Sequence, residues 1–62
     1  MTVAEAKSLK KGDKIITSVN GKLTHGSVQK VIQKSRSKFQ VLFISNNGRE
    51  ITRSYRGMDV VK

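Results

Sequence analysis

The sequence predicts an all-β fold: a small five-stranded barrel with a short N-terminal helical turn and a single helical turn before the last strand. Three observations carry this. Apolar residues alternate at the two-residue period of a strand in Lys14–Val19 and again in Lys38–Ser45. Asn20-Gly21 and Asn46-Asn47-Gly48 place tight-turn chemistry between consecutive runs. The second run, Lys22–Gln33, is long for so small a protein and is interrupted by Gly26, the mark of a strand that bulges or bends.

Taken in order, Thr2-Val3-Ala4-Glu5 fits a capping box, in which the Thr hydroxyl and the Glu carboxylate satisfy opposite free amides of a first turn, so a helix is expected over Val3–Ser8. A frayed terminus is the alternative, because a segment this short is marginal without packing; Leu9 is the expected anchor. Leu9-Lys10-Lys11-Gly12-Asp13 reads as a turn, with Asp13 accepting a backbone hydrogen bond inside it. The first strand is Lys14–Val19 and the second, after the Asn-Gly hairpin, is Lys22–Gln33. Its apolar phase changes past Gly26, from Val28 to Val31 and Ile32, so the strand is expected to curl.

Lys34–Ser37 is a polar loop. Lys38–Ser45 is the strongest strand, with Phe39, Val41 and Phe43 on one face and Leu42 and Ile44 on the other, which implies a strand flanked on both sides. A fourth strand is expected over Arg49–Ser54, a tight turn over Tyr55–Met58 and a short last strand over Asp59–Val61.

This order resembles the Src-homology-3-like barrel. Leu9-Lys10-Lys11-Gly12-Asp13-Lys14-Ile15 is similar to the opening of KOW and Tudor-type members, and Gly26-Ser27-Val28 followed by Val31 resembles the glycine-plus-hydrophobic segment of the KOW motif. The resemblance spans Leu9 to Val61 and implies a nucleic-acid-associated domain. The aromatic cage of Tudor domains is not visible, since Tyr55, Phe39 and Phe43 are the only aromatics and both Phe residues read as core. An OB-type barrel is the other fold considered, and it normally needs a longer chain.

With 62 residues there is room for one domain, residues 1–62, of which 1–8 form the extension or short helix. A chain of this size buries roughly 60% of its unfolded surface. With no Cys, stability comes from packing or association, and no thiolate metal site is available. No apolar run approaches the roughly 18 residues of a membrane helix, and Met1 to Lys11 lacks the apolar centre of a signal peptide, so a soluble, cytoplasmic protein is expected.

Thirteen Lys and Arg against four Asp and Glu give a formal net charge of +9. Such a density repels itself in a compact chain and is compensated by a polyanionic partner. An enzyme is not expected: one His and four carboxylates, scattered over turns and strands, supply no convergent set, and His25 has no second ligand to complete a metal site. No cofactor is expected.

The basic residues cluster instead. Lys34, Arg36 and Lys38 alternate with Ser35 and Ser37 in one loop; Arg49, Arg53 and Arg56 surround Tyr55 further on; Lys7, Lys10, Lys11 and Lys14 form a third group. If Ile51 points inward, Arg53 on the same strand face must lie near the barrel edge. The expected binding face is Lys30, Lys34, Arg36, Lys38, Arg49, Arg53, Tyr55 and Arg56, framed by the second-to-third-strand loop, the next hairpin and the terminal turn. Tyr55 beside Arg supplies a stacking surface for bases, or else is a half-buried lid on the core.

Two functions follow. The first is a DNA- or RNA-binding module that contacts mainly the phosphate backbone with low sequence specificity. The alternative is an adaptor or inhibitor that docks an acidic surface of a larger protein complex. Homo-oligomerisation through an exposed strand edge is compatible with both. Membrane-surface binding ranks below them, because no basic amphipathic helix is present.

Overall fold

A computed structural model of the chain describes residues 1–61. The first helix, α1 (Val3–Ser8), is started by the expected capping box: the Glu5 amide donates to the Thr2 hydroxyl at 3.1 Å and the Thr2 amide to the Glu5 carboxylate at 2.9 Å. Six residues cannot hold a helix in water on propensity alone. Burial holds this one, since Ala6 is enclosed and Met1, Val3 and Leu9 pack against the core.

Five antiparallel strands follow: β1 (Lys14–Val19), β2 (Lys22–Gln33), β3 (Phe39–Ser45), β4 (Glu50–Ser54) and β5 (Met58–Val60), with a 3-10 turn at Tyr55–Gly57. Their order across the sheet is β4-β3-β2-β1-β5. The bounds of α1, β1 and β2 are those the sequence predicts; β3 and β4 each begin one residue later. β5 begins one residue early, because Met58 already pairs with Thr17.

The hairpin between β1 and β2 turns on Asn20 and Gly21, with φ of 51° and 79°. Two consecutive positive φ values match the right-handed twist of the flanking strands. Asp13 accepts the Lys10 amide at 2.8 Å, as expected of that turn.

Two expectations are corrected. Gly26 is not the site of a bulge: the register slips at Gln29, between Val28 and Lys30. Gly26 instead admits the Phe43 ring, since a Cβ there would stand 2.4 Å from Phe43 Cδ2 and 3.1 Å from the Ile44 carbonyl. The bulge resets the inward phase from Val28 to Val31, the change visible in the sequence.

The second correction concerns closure. Among the described residues no ladder joins β4 to β5, so the expected closed barrel is an open sheet. Inward residues from both edge strands, Ile51 of β4 and Met58 of β5, nevertheless pack into one cluster with Ile15, Val28, Phe39, Val41, Phe43 and Tyr55. A flat five-stranded sheet would hold its edges roughly 19 Å apart, and the shared core curls this one. The β5 edge is met by the N-terminus, whose amino group donates to the Met58 carbonyl, and to that of Tyr55 at 3.4 Å.

Candidate functional site

Strand direction decides which basic groups meet. Successive antiparallel strands reverse, so the 34–38 loop and the 46–48 hairpin lie at opposite ends of β3, and β4 returns the chain to the loop end. The 3-10 turn at Tyr55–Gly57 therefore stands beside Lys34–Lys38. Arg49 does not: it is left at the far hairpin, roughly 20 Å away at the rise of a strand.

The loop is closed by its own backbone. The Lys34 and Ser35 amides both donate to the Lys38 carbonyl, at 2.8 and 3.2 Å, bringing Lys34 and Lys38 to one end of the sheet. Tyr55 then ties the loop to the turn. Its ring meets Phe39 edge-on at a centroid distance of 5.8 Å, and its hydroxyl donates to the Ser37 carbonyl at 3.2 Å. At 7% exposure Tyr55 is the lid of the core, and its face is not offered to a base.

The result is a recess of about 250 Å³ lined by Lys34, Ser37, Lys38, Gln40, Ser54 and Arg56 over the Phe39 and Tyr55 rings. Gln40 and Ser54 are opposite each other in the β3–β4 register. Three cations and several neutral hydrogen-bonding groups converge here, and none of the four carboxylates lines the recess. Lys34, Lys38 and Arg56 are exposed and, among the described residues, in no ion pair. No protein-family model, curated protein or solved structure matches this chain.

The remaining predicted residues divide. Arg36 is exposed in the same loop. Lys30 pairs with Leu42, which pairs with Thr52, on the outer face one two-residue step from the Gln40–Ser54 row. Arg53 pairs with buried Val41 and yet is itself exposed, so it leaves the core at the sheet edge, as Ile51 pointing inward requires. It belongs to the opposite face of β4 from Ser54.

A second, larger recess of about 500 Å³ opens on the outer face and is lined in part by Lys14, His25, Ser27, Gln29, Ile44 and Val61. Its single Lys is occupied: Lys14 Nζ donates to the Ser27 hydroxyl at 2.6 Å. The smaller recess is the better anion site despite its size, because it gathers three cations against one. All three, with Ser37 of the same loop, were readable from the sequence, whereas Gln40 and Ser54 were not, since their part depends on cross-strand register.

Proposed function

We propose that the protein binds nucleic acid through the phosphate backbone, with the Lys34, Lys38 and Arg56 recess as its centre and Arg36 and Lys30 extending the contact. The observation that carries the reading is the convergence of these unpaired cations with Ser and Gln donors, on a chain of net charge +9. Lys and Arg hold phosphate oxygens by charge-assisted hydrogen bonds, and neutral side chains add positioning bonds. The resemblance of Leu9–Ile15 and Gly26–Val31 to KOW segments of Src-homology-3-like barrels supports the same class.

The aromatic residues narrow the substrate. All three, Phe39, Phe43 and Tyr55, are core, so affinity does not come from stacking unpaired bases, the main sequence-tolerant contact of single-strand binders. Binding is to the backbone, with duplex held at least as tightly as single strand and little dependence on sequence.

The test is fluorescence anisotropy against matched single- and double-stranded DNA and RNA, with heparin as a generic polyanion. Four phosphate contacts give a log-log salt slope of about −3.6 on duplex DNA. Lys34→Glu with Arg56→Glu should abolish binding at moderate salt while the melting curve is kept. Equal, weak binding to every polyanion, or full binding by the double variant, would sink the reading.

A further inference from the structure

We propose that the free edge of β4 is a docking site for an extended acidic peptide, added as a sixth strand. The Ser45 amide donates to the Arg49 carbonyl at 2.8 Å. By antiparallel alternation Ile51 and Arg53 also turn their backbone groups towards β3, and Glu50, Thr52 and Ser54 turn theirs away from the sheet. Those three residues are exposed, and among the described residues β3 is the only strand paired with β4. An edge in this state is a template for another strand.

The side chains specify the occupant. Arg49, Ile51 and Arg53 share one face, with both Arg exposed and Ile51 half-buried between them. A strand laid on this edge places its own alternate residues opposite these three. Charge and burial then select acidic, apolar, acidic at every second position of an antiparallel strand, while the residues between them exchange backbone bonds with Glu50 and Thr52. This site meets the phosphate recess only at Ser54 and does not rest on it.

A second copy of the chain fits poorly. Self-pairing about Thr52, the register that uses the outward groups best, sets Arg49 of one copy diagonal to Arg53 of the other, roughly 7–8 Å apart. Two chains of +9 meet there without an intervening anion.

The probe is the blocked peptide Thr-Asp-Thr-Val-Thr-Asp-Thr, compared with a scramble of the same composition and with a version N-methylated at the two Thr residues flanking Val. Titrated into isotope-labelled protein, the patterned peptide should bind at least about tenfold more tightly than either control, since each control loses backbone bonds or the side-chain match. Hydrogen exchange at the Glu50 and Thr52 amides should slow. A Thr52→Pro variant, with folding checked by its melting curve, should lose the peptide and keep duplex binding. Equal affinity for the patterned and scrambled peptides, indifference to N-methylation, or perturbation centred on Lys34, Lys38 and Arg56 would each overturn the proposal.

Discussion

The two edges of this sheet are managed in opposite ways. β5 has three residues, begins inside the core at Met58, and has an outward carbonyl occupied by the amino group of Met1, which also lies 3.7 Å from the Asp59 carboxylate. β4 has five residues, four of them exposed, and its Ile51 is flanked on the same face by Arg53 and by Arg49, just before the strand. Short length and a covering segment are standard protections of an edge, as are charged side chains on a longer one. The comparison teaches that, among the described residues, charge is the only protection β4 has, and charge blocks a like copy while inviting an opposite partner.

The largest expected effect breaks the seam that both edges share. Gly26 pairs with Ile15 on one side and Ser45 on the other, linking the β1–β5 half to the β3–β4 half. Gly26→Ala forces the fully buried Phe43 ring to move and should cost about 1–3 kcal/mol, read as a lower urea midpoint. An unchanged midpoint would mean that the ring yields freely and the seam is loose.

Next comes the β5 side alone. The buried Thr17 hydroxyl donates to the Gly57 carbonyl at 2.8 Å, tying the 3-10 turn to β1. Thr17→Val keeps the shape and leaves that carbonyl without its partner, for a loss of about 1 kcal/mol. Amide exchange should accelerate in β5 and not in β4.

On the β4 side, Tyr55→Phe removes only the bond to Ser37. A loss of about 0.5–1.5 kcal/mol is expected, with faster exchange in the 34–38 loop and weaker duplex binding, because Lys34 and Lys38 are no longer held beside Arg56. Unaltered binding would show that the recess forms without this tie. Smallest of all, Thr52→Lys on the bare edge should change stability by no more than about 0.5 kcal/mol in a thermal melt, and a larger loss would reveal a neighbour on β4.

Much of this was legible beforehand for physical reasons that are local. A capping box spans four residues, an Asn-Gly turn two, and strand alternation needs only neighbours, so α1, β1 and β2 could be read with their bounds. The three cations of the recess were legible as types, and the lid role of Tyr55 as one of two alternatives. Other features depended on partners far along the chain. Gly26 looked like a bulge because its sequence neighbours do not show the Phe43 ring, 17 positions on, that excludes a Cβ.

The sequence by itself determined the β class, the turns, the net charge and the inward row of β3, because these rest on backbone preference and on a period of two. Tertiary structure decided the rest: that the sheet stays open, that Arg49 is separated from Lys34 and Lys38 by the length of a strand, that Gln40 and Ser54 meet, and that Tyr55 spends its hydroxyl on Ser37. Each of these is a choice of register or of strand end, made when one particular burial of Phe43, Val41 and Ile15 excludes the others.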